Sequence, residues 1–488
     1  MPAPSKSLAA LLGSVPDAKV RGEDSVSIEG LAYRSTDVRP GTLFFCVPGT
    51  RLDGHDFAGE ARAAGAPALV VERWLGHDCV QVLVPSVRRA MGPMAAAFYD
   101  QPSLELTVVG VTGTNGKTTT TYLLESIFRA AGMVSAVVGT TGVRLGGRAI
   151  PFDRTTPEAP DLQALLALML REGVGAVALE ASSHGLHQHR VDGTRHRCAV
   201  FTNLSQDHLD YHGSLQEYFD AKARLFSPEL SDRAVVNGDS PEGRMLAARP
   251  RIPTVTFGLR PGSNLVAEDV RASTSGLSFT VEGLRVRSHL RGTFNLYNCL
   301  GAFAAAREVG IDDAAIVEGI DGVLGVPGRL EPVRAGQPFQ VLVDYAHTPD
   351  SLENVLRAVR GITGDRVITV FGCGGDRDRV KRPLMGEVAT RLADLTVLTS
   401  DNPRSEDPEA IIAEIEAGAR RGGGAFLVEV DRRLAIRSAL EEAGPRDVVV
   451  IAGKGHETGQ EFRDGTIPFD DRVVAREEIS ALRGRAGR

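Results

Sequence analysis

The sequence predicts an α/β protein of three domains, with largely parallel sheets in the second and third. Three observations predict it. The chain has 488 residues, and one domain usually holds about 100–200. Short apolar runs alternate with helical patterns, as in parallel strands joined by helices. A glycine-rich turn near residue 113 follows an apolar run and leads into a helical one. Apolar residues make up 42% and charged residues 24% of the chain, the balance of a globular protein.

The first domain is expected at 1–100, with short strands at 42–47 (TLFFCV), 68–71 (ALVV) and 80–84 (VQVLV). Alanine-rich helical stretches separate them, and Tyr-Asp-Gln-Pro-Ser at 99–103 reads as a linker. The second domain is expected at 101–333, opening on an apolar strand at 106–111 and including buried strands at 176–179 and 198–201. Apolar and polar residues alternate over 265–290, which predicts antiparallel strands. The third domain is expected at 334–488, with apolar runs at 341–343, 367–371, 395–398, 426–430 and 448–451. This is a doubly wound, Rossmann-like pattern, and such sheets bind ligands beyond the carboxyl ends of their strands. Those ends carry Asp344, Gly372, Ser400, Asp401, Asp431 and Gly453.

The formal net charge of −7 speaks against nucleic acid as a partner, because its binders carry a basic patch or stripe. The cysteines Cys46, Cys79, Cys198, Cys299 and Cys373 form no CxxC pair, which disfavours disulfide scaffolds and zinc ribbons. No run of about 18 apolar residues suggests a membrane span, and the start MPAPSKSLAALLGSV lacks the pattern of a signal peptide. The expectation is a cytoplasmic protein without membrane insertion.

The strongest motif is VTGTNGKTTT at 111–120. Backbone N–H groups of such a turn, and of the helix N-terminus after it, wrap polyphosphate oxygens. In this P-loop setting Lys117 reaches the β- and γ-phosphates, and Thr118 offers its hydroxyl to Mg²⁺. The strict pattern wants glycine where Val111 stands, so the loop is a variant.

Six of the eleven histidines lie between His184 and His212. Glu180, at a strand end, suits Mg²⁺, which prefers oxygen donors. Zinc on His184, His187 and His189 is the alternative, disfavoured without cysteine spacing or an HExxH pattern. Asp207, His208 and Asp210 follow another strand and could orient ligands at the same centre. Lys222, read by itself, is a helix-face lysine.

Together these segments resemble the Mur ligases. VTGTNGKTTT, LEASSHGL, TNLSQDHLDYH, DAKARLF, RGTFNLYN, PGRLEPV, VDYAHTPDSL, FGCGGDRDRVKRP, SDNPRSEDP and AGKGHE occur in the family's order along nearly the whole chain. The resemblance implies a UDP-binding domain, a central ATPase and a C-terminal Rossmann-like domain. It also implies ATP-dependent activation of a carboxylate as an acyl phosphate, which an amine then attacks to form an amide. The likeness is strongest to members that add the third residue to UDP-N-acetylmuramoyl-L-alanyl-D-glutamate in peptidoglycan precursor synthesis.

Residue by residue, the resemblance assigns Gly113, Thr114, Asn115, Gly116, Lys117, Thr118 and Thr119 to ATP. Asn295, Arg329 and Asp344 join them, although Asn295 and Asp344 also suit helix capping. Lys117, Glu180, His208 and Lys222 become catalytic. Thr118, Glu180, His208 and Lys222 surround Mg²⁺, with Lys222 converted by CO₂ to an anionic carbamate. Ser35, Thr50, Arg51 and Leu52 match the uracil side of the nucleotide sugar. Thr155, Thr156, Ser182, Gln188 and Arg190 match the muramoyl-dipeptide contacts. Family members often carry Asn where this chain has Arg154, so the role of that position stays open.

Asp401, Asn402, Pro403 and Arg404 look like the signature of members that add meso-diaminopimelate. A guanidinium grips a carboxylate with two parallel hydrogen bonds, and diaminopimelate carries a distal carboxylate that lysine lacks. Arg377, Gly453 and Glu457 complete the expected diaminopimelate set. The alternatives are the L-lysine-adding homologue, a folylpolyglutamate-type ligase, a P-loop regulator that binds nucleotide without ligating, and a scaffold for other cell-wall enzymes. A monomer is expected, closing its domains around substrate.

Overall fold

A computed structural model of the chain describes residues 5–49, 52–150, 152, 154–273 and 275–486. It has three main sheets, each in an α/β setting. The first has five strands in the order Lys19–Arg21, Val80–Leu83, Ala68–Val71, Thr42–Phe45 and Gly30–Ala32. All its pairings are parallel except that of Lys19–Arg21 with Val80–Leu83. The expected strands at 42–47 and 80–84 thus stop at Phe45 and Leu83.

The second sheet has eleven strands. Thr107–Thr112 lies between Ala176–Glu180 and Cys198–Phe201, all parallel. Ser135–Gly139 extends the sheet on one side, and Ala234–Asn237 and Thr254–Gly258 extend it on the other. Leu265–Ser273, Gly276–Val281 and Leu284–Ser288 close that end as an antiparallel meander, as the alternation predicts. An antiparallel hairpin, Gly142–Leu145 with Arg148–Ile150, closes the opposite edge; its polar, glycine-rich sequence hides it from a search for apolar runs.

Successive residues of a strand face opposite sides of the sheet. Val109 and Val111 pack with Leu123, Leu124 and Ile127 of the helix Lys117–Ala130, and with Leu300 and Phe303 of Thr293–Glu308. Val108 faces the other way, toward Leu162, Leu166 and Phe219. Both faces are therefore covered, which explains the continuous apolar runs.

The third sheet runs Glu331–Pro332, Gln340–Asp344, Val448–Ala452, Val367–Phe371, Leu395–Leu398 and Ala425–Val428. The last five are parallel neighbours. The run expected at 426–430 is shifted and largely exposed, because Ala425–Val428 is the edge strand and pairs on one side only. Among the described residues no helix is long and apolar enough to cross a membrane.

Candidate active site

The strand Thr107–Thr112 runs into Gly113 and Gly116, and the helix Lys117–Ala130 starts immediately after. Both glycines have positive φ, +148° and +89°. A Cβ at Gly113 would lie 1.9 Å from Thr202 Oγ1, and one at Gly116 would lie 2.3 Å from Asn298 Oδ1. Only glycine fits such backbone at such approach. Thr202 Oγ1 donates to Asn115 O (2.6 Å), and Asn115 N donates to Asn203 Oδ1 (3.0 Å). The strand Cys198–Phe201 thereby braces the loop from the side. Lys117 Nζ folds back to donate to Gly113 O and Thr114 O, both at 2.8 Å. Burial lowers its pKa, against the pull of Glu180 and Asp207.

Glu180 ends its strand fully buried. Its two oxygens accept hydrogen bonds from Thr140 N (3.1 Å) and Thr140 Oγ1 (2.8 Å). His208 has φ +54°, and its Nε2 lies 3.3 Å from Asp207 Oδ2. His347 Nε2 lies 4.0 Å from the same oxygen. Burial drives His208 down to about 4, against Asp207. Against its burial, His208 and His347 when protonated, and Lys381 and Lys117, pull the Asp207 pKa below the ordinary carboxylate range.

Lys222, read alone as a helix-face lysine, is 1% exposed. Its Nζ donates to Gly113 O (2.9 Å) and sits 4.3 Å from the Tyr218 ring centroid. Burial, reinforced by Lys117, lowers its pKa well below the ordinary range.

These groups share a cavity of about 480 Å³. Thr114 to Thr119, Thr155, Glu180, Ser182, His208 and Lys222 line it from the second sheet, and Arg329 and Asp344 line it from the side of the third. Arg329 Nη2 donates to Thr118 Oγ1 (3.1 Å), and Asn115 Nδ2 donates to Asp350 Oδ2 (2.8 Å). Asp344 accepts from Leu330 N and Ala346 N, which fixes the loops around it.

Asn295 is not in the lining. Its Nδ2 donates to Arg291 O (2.7 Å), and its Oδ1 accepts from Asn298 Nδ2 (2.8 Å). Asn298, which sequence reasoning missed, lines the cavity against Gly116. Helical spacing does not reveal which of two asparagines three residues apart faces the loop.

Thr156 and Arg190 support the cavity wall from behind. Thr156 Oγ1 donates to Glu180 O (2.7 Å). Arg190 donates to Thr156 O (3.1 Å) and Gln188 Oε1 (2.6 Å). Arg154 and Arg190 both pair with Glu158. In the loops beside the first sheet Ser35 donates to Glu60 Oε2 (3.0 Å) and Leu52 is exposed; neither lines the cavity. Thr50 and Arg51 lie outside the described residues.

The expected diaminopimelate residues form a separate cluster beyond the strand ends of the third sheet, and none of them lines the 480 Å³ cavity. Asn402 Nδ2 donates to Glu457 Oε2 (2.9 Å). Lys454, fully buried, donates to Asn402 Oδ1 (2.8 Å) and Glu457 Oε2 (2.9 Å). A Cβ at Gly453, where φ is +114°, would lie 2.5 Å from Asp401 Oδ2. Arg404 Nε donates to Glu461 Oε2 (2.7 Å) and its Nη1 to Gly375 O (2.9 Å), so the guanidinium already has a carboxylate partner. Arg377 is exposed and donates to Asp376 O (3.1 Å). Tyr345 links the cluster to the cavity, with its ring 4.6 Å from His347 and 5.2 Å from His456. Sequence reasoning missed Lys454 and Tyr345, although both lie within quoted motifs.

Among the described residues no three His, Cys, Asp or Glu side chains converge to hold a metal ion. The donors at the phosphate loop are instead oxygens, the Thr118 hydroxyl and a buried Glu180 carboxylate that accepts from Thr140. That chemistry fits Mg²⁺, which binds few protein oxygens and keeps its remaining positions for water and phosphate.

Three family models match the chain: the Mur ligase family catalytic domain over 27–99, the Mur ligase middle domain over 111–306, and the Mur ligase glutamate ligase domain over 328–455. The UDP-N-acetylmuramoyl-L-alanyl-D-glutamate–2,6-diaminopimelate ligase of Geobacillus thermodenitrificans is 47% identical, covering 98% of this chain and 100% of its own length. That of Geobacillus kaustophilus is 47% identical over 97% and 99%. A solved structure of a ligase of the same name is 35% identical, with a TM-score of 0.70 over 98% of this chain and 99% of its own. With its sheets, its phosphate loop and its relatives in agreement from end to end, the chain belongs to the Mur ligase family.

Proposed function

We propose that the chain is a cytoplasmic, monomeric, ATP-dependent ligase that joins meso-diaminopimelate to UDP-N-acetylmuramoyl-L-alanyl-D-glutamate in peptidoglycan precursor synthesis. The observation that carries this reading is the shared cavity. It sets the phosphate loop, Glu180 and Lys222 opposite Arg329 and Asp344, where a polyphosphate and a carboxylate meet.

The glutamate carboxylate attacks the γ-phosphorus of ATP, and ADP leaves. The amine of the incoming amino acid attacks the resulting acyl phosphate carbon. The tetrahedral intermediate then loses phosphate, and the surplus amine proton leaves with it as hydrogen phosphate, to give the amide. Lys117 and the loop N–H groups offset charge on the transferring phosphoryl group. Thr118, Glu180 and His208, with Lys222 as its carbamate, would hold Mg²⁺, which would supply Lewis-acid polarisation of the phosphoryl oxygens. Lys222 suits carbamylation because burial favours its neutral amine, the form that adds CO₂. Thr155 and Ser182 hold the muramoyl dipeptide, with Thr156, Gln188 and Arg190 bracing them from behind. Ser35, Thr50, Arg51 and Leu52 serve the uridine end.

Diaminopimelate is favoured over L-lysine by Arg404. On substrate binding its guanidinium exchanges Glu461 for the distal carboxylate, while Glu457 accepts from the distal ammonium. The test is ligation of meso-diaminopimelate, L-lysine and L-ornithine, read by product mass. The diaminopimelate adduct is expected to dominate, and Arg404→Ala to raise the diaminopimelate KM by about tenfold or more with little change for ATP. Preference for L-lysine would remove the assignment.

A further inference from the structure

Arg382 belongs to none of the binding sets above, yet it is among the largest fully buried side chains of the protein. It stands in the first turn of the helix Lys381–Leu392. Its guanidinium meets Glu406 as a fork, with Nη2 to Oε1 at 2.7 Å and Nη1 to Oε2 at 2.9 Å. Nη1 also donates to Glu414 Oε2 (3.0 Å), and Nη2 to the carbonyl of Gly374 (3.2 Å).

Two loops meet at this fork. One carries Arg377 and the other carries Arg404. Glu406 Oε1 accepts from Asp376 N (2.6 Å). The Asp376 carboxylate accepts from Ser405 N (3.2 Å) and Ser405 Oγ (2.7 Å). Gly375 N donates to Asn402 O (2.9 Å), and Arg404 Nη1 to Gly375 O (2.9 Å). A Cβ at Gly375 would fall 1.8 Å from Pro403 O, so the loops touch backbone to backbone. Asp376 and Arg404 both have φ of +54°. Two non-glycine residues in that region persist only where their surroundings over-determine them.

The frame behind the fork is rigid. A Cβ at Gly386 would lie 2.1 Å from Ile415 O, and one at Gly418 would lie 1.7 Å from Pro383 O. The helices Lys381–Leu392 and Pro408–Gly422 are thus in backbone contact, and the fork projects from a fixed base.

We propose that Arg382, through its fork to Glu406 and its bond to Gly374 O, is a positioning residue that sets the spacing of the Arg377 and Arg404 loops and so the selectivity for the amino-acid substrate. It rests on the diaminopimelate reading of Arg404. A single charge would not suffice: lysine cannot make two parallel bonds to Glu406 while holding the Gly374 carbonyl.

The experiment measures KM and kcat for meso-diaminopimelate, L-lysine, ATP and the UDP-muramoyl-dipeptide in the full-length enzyme. Variants are Arg382→Lys, Glu406→Ala and Glu414→Gln. Arg382→Lys and Glu406→Ala are expected to raise the diaminopimelate KM by about tenfold and to lower its preference over L-lysine, with ATP and dipeptide KM within about twofold. Glu414→Gln removes the charge of a partner of Arg382 that bonds neither residues 374–376 nor 402–405, and is expected to keep the wild-type diaminopimelate KM. The inference is overturned if folded Arg382→Lys and Glu406→Ala keep wild-type KM and preference, or if the diaminopimelate, ATP and dipeptide KM values rise in parallel. Glu406→Ala keeps the test open where Arg382→Lys does not fold. If the wild-type enzyme itself prefers L-lysine, the reading of Arg404 fails and the positioning role falls with it. If the wild type prefers diaminopimelate and the variants are unchanged, only the positioning role fails.

Discussion

Lys222 donates to a backbone carbonyl of the phosphate loop from a site almost closed to solvent. An amine there is driven toward its neutral form. Adding CO₂ forms an N–C bond, releases a proton and leaves a carbamate. Removing CO₂ and bicarbonate from the assay should lower activity by about tenfold, and bicarbonate should restore it. Lys222→Arg should be insensitive to both. Equal wild-type rates with and without bicarbonate would contradict the carbamate. His196 tells a different story. It is fully buried, bonded to Leu230 O (2.9 Å), and burial holds it at about 4 instead of 6.5. Its folded pKa lies below its unfolded one, so the unfolded chain binds the extra proton between those values. The stability it permits is complete above pH 6.5 and is lost as pH falls toward 4, up to about 3 kcal/mol. Urea unfolding of His196→Phe across that window should show a shallower pH slope; an unchanged slope would assign the acid sensitivity elsewhere. Packing and hydrogen bonding of His196 was the favoured reading of the sequence, but the burial of Lys222 was not legible there. A lysine in DAKARLF looks like a surface residue, because what covers it comes from distant strands and loops.

Among the elements, strands and their carboxyl ends were the most legible, since a strand covered on both faces is written as an apolar run. Ala425–Val428 and the hairpin Gly142–Leu145 with Arg148–Ile150 were misread or missed. Edge strands and exposed hairpins carry no such run. The helix Val87–Phe98 shows how close its packing is. A Cβ at Gly92 would lie 2.2 Å from Asp192 O, and one at Gly193 would lie 2.5 Å from Gly92 O. Gly92→Val should push the helix off the second sheet's loop, cost about 1–3 kcal/mol and lower Tm by several degrees. A wild-type Tm by calorimetry would show that this contact gives way easily.

At the scale of the whole molecule, the proposed chemistry needs the second and third sheets to meet, because the phosphate loop and the residues proposed to bind the amino acid sit on different sheets. Arg329 to Thr118, Asn115 to Asp350 and His347 beside Asp207 are among the polar contacts that join them. A hinge motion about this junction is the expected response to substrate. Solution scattering should give a smaller radius of gyration with a non-hydrolysable ATP analogue and the UDP-muramoyl-dipeptide than without. Superimposable curves would argue for a rigid arrangement. By itself the sequence determined the α/β class, the phosphate loop and the family, because these are written in local spacing: glycines at a strand-to-helix turn, and short motifs in a set order. Tertiary structure alone decided that Asn298 and not Asn295 faces the loop, and that Lys222 and Arg382 are buried. It alone decided that the amino-acid cluster stands apart from the cavity. Burial and facing direction are set by what packs against a residue from far along the chain, and no local pattern records that.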